Sequence, residues 1–168
     1  MDRLWSPWRY RYVTAGDRSE QPKGCIFCAP REEHYVLFEG QLSYGLLNRF
    51  PYTSGHMMVA PYAHVARLED LDELAFVEMM RYGRIAERNL RAIYRCDGLN
   101  IGFNIGSVAG AGVAGHLHLH LVPRWNGDAN FMSTIGETRV LPEDLEESAR
   151  KLRGANWALE PGDRKSLG

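Results

Sequence analysis

Three histidines occupy alternate positions of the segment GHLHLHLVPRW, at His116, His118 and His120. Side chains two residues apart lie on the same face of a β-strand, so the imidazoles form one row and the intervening leucines face the core. An imidazole can bind a metal ion, move a proton or act as a nucleophile near neutral pH. Burying three imidazoles for packing alone costs free energy, so the row predicts a polar face that carries chemistry. A half-exposed strand with functionless histidines is the alternative.

Two of the three cysteines form the pair CIFC, at Cys25 and Cys28. A structural zinc ion takes four ligands in a tetrahedral array, so two thiolates need two more ligands. The available histidines are His34, His56, His64 and the row of three. A redox C-x-x-C needs a βαβ context, which the following segments do not supply. The pair is therefore interpreted as half of a zinc site.

A glycine-rich stretch, NIGSVAGAGVAG, precedes the histidine row and contains a G-x-G-x-x-G match from Gly110 to Gly115. In dinucleotide-binding proteins this motif leaves a strand and opens a helix. Here it opens a strand, so a Rossmann site is rejected. Small side chains also allow backbone N–H groups to approach a phosphate closely. The stretch is thus either an anion-binding loop or a flexible connection.

The elements that must position these residues follow from the hydrophobic pattern. Short apolar runs separated by turn residues predict strands in HYVLFE, LSYGLLN, HMMVAP, LNIGFNI and HLHLHLVP. Residues 68–95 repeat apolar positions at helical spacing, with Asp70 or Asp72 near the start and Gly98 just past the end. A shorter helix is expected after LPED. Strands, one long helix and further strands indicate an α+β fold.

Composition excludes several classes of function. A chain of 168 residues with 45% hydrophobic residues is the size of one globular domain. Its formal net charge of −1 supplies no basic field for nucleic acid. No apolar run reaches the ~20 residues of a membrane-spanning helix, and the N-terminus lacks the apolar core of a secretory signal. With few cysteines, the expected compartment is the reducing cytoplasm.

The segments LLNRFPYTSGHMMVAP, GFNIGSVAGAGVAGHLHLH and HLHLHLVPRW resemble the signature of the histidine triad (HIT) family of nucleotide hydrolases and transferases. The similarity runs from about Cys25 to Pro123 and continues through PRWNGDANF, as in a zinc-bearing bacterial branch described as diadenosine tetraphosphate phosphorylase-like. It implies an antiparallel sheet of about five strands, one long helix and short flanking helices, in a homodimer. The expected organisation is an arm over 1–24, the HIT domain over 25–140, and a helix and tail over 141–168.

The resemblance also implies catalytic and metal-binding roles. His118 would attack the α-phosphorus of a nucleotide and carry the nucleotidyl group, which divides one difficult displacement into two steps. His120 would contact phosphate oxygens and neutralise developing charge. One structural zinc ion per chain would be held by Cys25, Cys28, His64 and His116.

Further positions match nucleotide contacts of the family. Asn48 matches the residue that holds the ribose hydroxyls, His56 matches a histidine near the phosphates, and Asn104 matches a polar residue at the start of the active-site loop. The family loop usually carries Gln or Ser where this chain has Gly112 and Val113. Backbone amides would have to replace that side chain in binding the leaving group.

The predicted function is cleavage of the α-phosphate linkage of an adenosine polyphosphate such as diadenosine tetraphosphate, with transfer to water or phosphate. A histidine at the third triad position favours hydrolysis, whereas the GDANF segment favours phosphorolysis. Hydrolysis of adenosine 5′-phosphoramidates and a non-enzymatic nucleotide-binding module are the alternatives. One catalytic zinc on all three triad histidines is rejected, because a strand presents three ligands to one ion only with strain. The expected partners are a purine nucleotide or dinucleoside polyphosphate and a second copy of the chain.

Overall fold

The computed structural model describes residues 24–28, 35–128 and 143–159. Most of the predicted N-terminal arm and His34 lie outside these residues. The elements are β1 (Val36–Glu39), β2 (Ser43–Leu47), β3 (Met57–Pro61), α1 (Glu73–Tyr94), β4 (Gly98–Phe103), β5 (Leu119–Arg124) and α2 (Leu145–Arg153). Short 3-10 turns cover Leu68–Asp70 and Ser107–Ala109. Strands and helices in this order confirm the α+β fold, and neither described helix is long and apolar enough to cross a bilayer.

Within the described residues, the strands form one antiparallel sheet in the order β1-β2-β3-β5-β4. β5 lies between β3 and β4, so His120 pairs with Met58 on one side and with Gly102 on the other. His120, the last histidine of the row, therefore lies on an interior strand of the sheet.

The two faces of the sheet carry different layers. One face packs on α1 and α2 in the larger core cluster, which includes Leu47, Val59 and Leu121. The other face carries a smaller cluster made of Phe27, Tyr44, Leu46, Met58 and Ala60. Residues directly opposite in neighbouring strands share a face, so Met58 and His120 lie on the same side. The histidine row and the Cys25–Cys28 segment are therefore on one face, away from α1.

A buried carboxylate attaches α1 to the first hairpin. Glu78 is 5% exposed and accepts hydrogen bonds from the backbone N–H of Leu42 and of Ser43, each at 2.9 Å, and from Ser43 Oγ at 2.8 Å. The backbone N–H of Gln41 donates to its second oxygen at 3.3 Å. These bonds give partners to the backbone N–H groups of the turn between β1 and β2, and they fix the position of the helix on the sheet.

The ends of α1 differ in part from the sequence prediction. Asp72 is the N-cap, since its side chain accepts from the backbone N–H of Leu74 at 2.9 Å and of Ala75 at 3.4 Å. The helix ends at Tyr94, where Arg95 adopts the left-handed conformation with φ 49°. Gly98, predicted just past the end of the helix, lies three residues beyond the cap at Arg95 and already begins β4, so it is not the capping glycine.

The histidine row is not the polar surface that its pattern predicted. β5 begins at Leu119, so His116 and His118 precede the strand, although the alternation of sides continues through them. Leu117 holds this stretch in place by donating its N–H to the carbonyl oxygen of Val65 at 2.7 Å. His116 is 1% exposed and His118 is 4% exposed. Both imidazoles are covered because the Cys25–Cys28 segment packs over them.

Candidate functional site

The four predicted metal ligands converge. The ligand atoms of Cys25, Cys28, His64 and His116 all lie within 4.8 Å of one another. Nδ1 of His116 is 3.4 Å from Sγ of Cys25 and 3.6 Å from Sγ of Cys28, whose Sγ is 3.1 Å from Nδ1 of His64. A tetrahedral ion with bonds of about 2.0–2.3 Å separates its ligand atoms by roughly 3.3–3.8 Å. The three contacts above are close to this range, and two thiols with two imidazoles are the donor types of a zinc site.

A backbone carbonyl orients His116 for this role. Nε2 of His116 lies 2.9 Å from the carbonyl oxygen of Pro61. A carbonyl oxygen only accepts, so Nε2 carries the proton and Nδ1 presents its lone pair to the sulfur atoms. Burial lowers the pKa of His116 and keeps the ring neutral, as a metal ligand must be.

The Cys25–Cys28 segment is a tight turn. The N–H of Cys28 donates to the carbonyl oxygen of Cys25 at 3.1 Å, and the hydroxyl of Tyr44 donates to the carbonyl oxygen of Phe27 at 2.9 Å. Desolvation and the neighbouring Cys25 raise the pKa of the Cys28 thiol. A bound divalent cation would reverse this shift, because it stabilises both thiolates.

His118 has a neutral ring with a defined tautomer. Nδ1 lies 2.8 Å from the carbonyl oxygen of His116 and donates to it, so the lone pair is on Nε2. Burial lowers the pKa of His118, although the bond to His116 opposes this. The ring of Phe27 stacks on the imidazole, with centroids 4.8 Å apart and planes at 27°. His118 thus has the electronic form of a nucleophile, and one face of its ring is covered.

A chain of hydrogen bonds sets the protonation of His120. The backbone N–H of Tyr52 donates to Nδ1 of His56 at 3.1 Å, which leaves the proton of His56 on Nε2. That nitrogen donates to Nδ1 of His120 at 3.0 Å. His120 therefore carries its proton on Nε2, 3.4 Å from the amide nitrogen of Asn104. Two N–H donors side by side can bind one oxygen of a phosphate.

Asn48 closes the β2–β3 loop next to this chain. Its Oδ1 accepts from the backbone N–H of Phe50 at 2.9 Å, and its Nδ2 lies 3.3 Å from Nδ1 of His56. The conformation of this loop therefore affects His120, because Asn48 contacts His56 and His56 donates to His120. A ribose contact by Asn48 stays a prediction.

Some backbone N–H groups of the glycine-rich loop donate hydrogen bonds to carbonyl groups of the same loop. The N–H groups of Ala109 and Ala111 donate to Gly106, at 3.2 and 3.3 Å, and that of Gly110 donates to Ser107 at 2.9 Å. Gly106 and Gly110 have φ values of 83° and 91°, which permit this turn. The backbone N–H groups of Gly112 and Val113 make no hydrogen bond with the described residues. The anion-binding role of this loop stays a prediction.

Several contributors to the site were missed from the sequence. Phe27 covers His118, and backbone groups of Pro61 and Tyr52 set the tautomers of His116 and His56. The position of Phe27 inside CIFC is a signal that could have indicated it. Nothing in the sequence marks the two backbone groups, because their positions depend on strand register and loop conformation.

Comparisons with known proteins identify relatives of this chain. The chain is 39% identical over 170 residues to AP-4-A phosphorylase of Mycobacterium tuberculosis, covering 96% of this chain and 87% of that protein. It is 30% identical over 131 residues to bis(5'-nucleosyl)-tetraphosphatase [asymmetrical] of Schizosaccharomyces pombe, covering 78% of this chain and 68% of that protein.

A solved structure and a family comparison complete the assignment. A Zn-bound histidine triad family protein from Mycobacterium smegmatis is 34% identical, with a TM-score of 0.63, and the match covers 77% of this chain and 91% of that one. The HIT domain family matches residues 30–127. The resemblance stated from the motifs is confirmed: the chain belongs to the HIT domain family.

Proposed function

We propose that this protein cleaves the α-phosphate linkage of an adenosine polyphosphate such as diadenosine tetraphosphate, through a nucleotidyl intermediate on His118. The observation that carries the proposal is the 2.8 Å contact between Nδ1 of His118 and the carbonyl oxygen of His116, which leaves a lone pair on Nε2. The names of the relatives AP-4-A phosphorylase and bis(5'-nucleosyl)-tetraphosphatase support this class of substrate.

The reaction has two displacement steps. Nε2 of His118 forms a bond to the α-phosphorus, and the bond from phosphorus to the bridging oxygen breaks, so ATP leaves diadenosine tetraphosphate. Water or inorganic phosphate then attacks the nucleotidyl-histidine, which releases AMP or ADP and restores Nε2. His120 and the amide of Asn104 donate hydrogen bonds to the phosphate oxygens and stabilise the charge that develops there. The backbone N–H groups of Gly112 and Val113 bind the leaving group.

Access to His118 requires a local movement. In-line attack uses the lone pair in the plane of the imidazole, at the ring edge, whereas Phe27 covers the ring face. Phe27 can therefore stay in place during the reaction. His118 is 4% exposed, so the groups over the ring edge move when the phosphate binds.

We assign the metal as one structural zinc ion per chain. Two cysteines and two histidines complete a tetrahedral set with no open position, which is the donor set of a structural site. The Zn-bound relative from Mycobacterium smegmatis supports this identity. When bound, zinc would supply four bonds that hold the Cys25–Cys28 turn against His64 and His116. The reacting groups would come from the protein.

We also propose a cytoplasmic homodimer, with the HIT domain over 25–140. β4 is an edge strand of the sheet, and Ile101 on it is 43% exposed. Pairing of this edge with a second copy would cover the apolar side chain and the unpaired backbone groups. Cys25, Cys28 and Cys96 are free thiols, as expected in a reducing compartment.

Hydrolysis of an adenosine 5′-phosphoramidate is the second candidate reaction. It would use the same nucleophile and the same phosphate contacts. Gly112 and Val113 do not separate the two reactions, because neither side chain can donate a hydrogen bond to either leaving group. Comparing both substrates under identical conditions separates the two reactions.

The test is to trap the intermediate and to identify the products. The protein is incubated with diadenosine tetraphosphate labelled at the α-phosphates and quenched in alkaline denaturant, in which a phosphorus–nitrogen bond to histidine survives. We expect label on the native chain and none on His118→Gln. His120→Gln, the matched control, should keep the label and turn over roughly 10²- to 10³-fold more slowly. ADP formed only with added phosphate would identify phosphorolysis, and AMP without phosphate would identify hydrolysis.

Two results would overturn this proposal. Undiminished turnover in His118→Gln would exclude the nucleophile. Binding of AMP without turnover of any phosphoanhydride or phosphoramidate would instead support a nucleotide-binding module.

A further inference from the structure

We propose that Phe27 is a positioning residue that couples occupation of the metal cluster to the orientation of the His118 ring. The relevance of this coupling to catalysis rests on the proposed role of His118 as the nucleophile. His118 is not itself among the four candidate ligands. Its ring is nevertheless held by two residues that belong to the cluster or to the turn between its cysteines.

Phe27 is fixed by the turn that carries the two thiols. It stands between Cys25 and Cys28, and its side chain is 2% exposed within the cluster that includes Tyr44 and Leu46. Its carbonyl oxygen accepts the hydrogen bond from the buried hydroxyl of Tyr44 at 2.9 Å. Both the backbone and the ring of Phe27 therefore depend on the closed conformation of the turn.

The ring of Phe27 restrains His118 from one face. The two rings stack at 4.8 Å with an interplanar angle of 27°, and Phe27 also contacts His116 at 5.2 Å. A flat ring at this distance blocks rotation of the imidazole about its Cβ–Cγ bond, because the rotating ring edge would enter the space of Phe27. The hydrogen bond from Nδ1 to the carbonyl oxygen of His116 restrains the ring edge at 2.8 Å. Both restraints thus originate at the metal cluster.

Loss of the ion weakens both restraints together. With zinc bound, four bonds would join the turn to His64 and His116, which are far away in sequence. Without it, weaker contacts connect the turn to the rest of the protein: the Tyr44 hydrogen bond, the thiol–imidazole contacts of Cys25 and Cys28, and apolar packing around Phe27. Cys28 and Gly24 are exposed, whereas Cys25 and Ile26 are partly buried against the same cluster. A half-turn of the imidazole about Cβ–Cγ would then move Nδ1 away from the carbonyl oxygen of His116. The proton would exchange between Nδ1 and Nε2, and the lone pair would no longer stay on Nε2.

The test compares Phe27→Leu with a matched control. Phe27→Leu keeps an apolar side chain and removes the flat ring. Phe38→Leu makes the same change on the opposite face of the sheet, where the buried Phe38 stacks on Trp157 at 4.5 Å. Each protein is saturated with zinc, its metal content is measured, and the ring nitrogens of ¹⁵N-labelled histidines are observed by NMR. The absence of signals in His118→Gln assigns those of His118.

We expect separate Nδ1 and Nε2 signals for His118 in the zinc-loaded native chain and in Phe38→Leu. The two signals should shift toward a common averaged position in Phe27→Leu with its zinc retained, and in the native chain after chelation. Unchanged His118 signals in either case would overturn the proposal. Failure of Phe27→Leu to bind zinc would also overturn it, since Phe27 would then be needed to form the metal turn. These readouts need no substrate, so a failure of the proposed reaction would be recognised separately.

Discussion

Nε2 of His116 lies 2.9 Å from the carbonyl oxygen of Pro61, the last residue of β3. This bond leaves Nδ1 as the nitrogen that faces the sulfur atoms of Cys25 and Cys28. Since the acceptor is a backbone group, it is held by the pairing of β3 with its neighbours. The sheet therefore prepares one imidazole for a metal before any ion is present.

We expect Cys25→Ser to weaken zinc binding by more than about tenfold. Removing a hydrogen bond to a metal ligand already weakens metal binding by about tenfold or more, and Cys25 is itself a proposed ligand. The affinity is measured by competition with a chromogenic chelator. Cys96→Ser is the matched control, since Cys96 is buried outside the cluster. Chelation should also lower the melting temperature of the native chain, because the ion binds only the folded state. Zinc binding by Cys25→Ser at native affinity would contradict the four-ligand assignment.

His56 should matter for the rate through His120. Its Nε2 donates to Nδ1 of His120 at 3.0 Å and so determines which nitrogen of His120 carries a proton. We expect His56→Leu to lower kcat by roughly 10- to 100-fold, within the range for losing one oriented donor. His56→Gln retains an N–H donor and should recover part of that loss. Equal kcat values for the two variants, in initial rates with diadenosine tetraphosphate, would exclude this role.

Glu78 should be one of the strongest determinants of stability. Removing a buried carboxylate that accepts bonds from Leu42, Ser43 and Gln41 leaves their donors unpaired. We expect Glu78→Ala to lower the free energy of unfolding by about 3 kcal/mol, as for other broken buried networks. Glu87→Ala is the control, because Glu87 forms an exposed pair with Arg91 and should cost about 0.5 kcal/mol or less. Urea titration of both variants gives the comparison, and equal losses would contradict this assignment.

Glu143 should make stability depend on acid pH. Desolvation raises the pKa of Glu143, but hydrogen bonds from Lys151, Ser148 and Tyr94 outweigh it, so the net pKa is lowered. A lowered folded-state pKa contributes stability above the unfolded pKa of about 4.3, and this stability is lost as the pH falls through the folded pKa.

The measurement for Glu143 is urea unfolding from neutral pH to below pH ~4. Glu143→Gln should be less stable than the native chain at neutral pH by roughly 1–3 kcal/mol, the value of a hydrogen-bonded charge. The difference should shrink toward the acid end. Glu69→Gln is the control, since Glu69 pairs only at the surface with Arg67. A difference that stays constant with pH would show that the charge of Glu143 is not the cause.

The sequence predicted which residue types bind the metal, but local patterns did not predict the complete set of four ligands. C-x-x-C and alternating histidines indicate zinc and a shared face from local spacing alone. His64 entered the ligand set through the family resemblance, because no local pattern relates it to Cys28 or His116. The structure brings all three together through the order of the strands, which depends on long-range pairing.

The burial of His118 and the end of α1 were not predictable from periodicity. His118 is covered because Phe27 folds back over it, a contact between residues far apart in sequence. Gly98 was expected just past the helix end because glycine adopts positive φ without strain. The chain instead uses Arg95 in that conformation, at a cost of about 1 kcal/mol, and Gly98 begins β4. Tertiary contacts of the neighbouring strand outweigh the local preference.

The position of β5 between β3 and β4 determines when the nucleophile is assembled during folding. β1, β2 and β3 are consecutive in the chain and can pair as soon as they are made. Met57 of β3 can pair with Leu121 only after β5 has been made. Closing so long a loop is slow because its entropy is lost before any contact compensates for it. We therefore expect a nascent chain that stops before β5 to form the first hairpins without any catalytic imidazole in place.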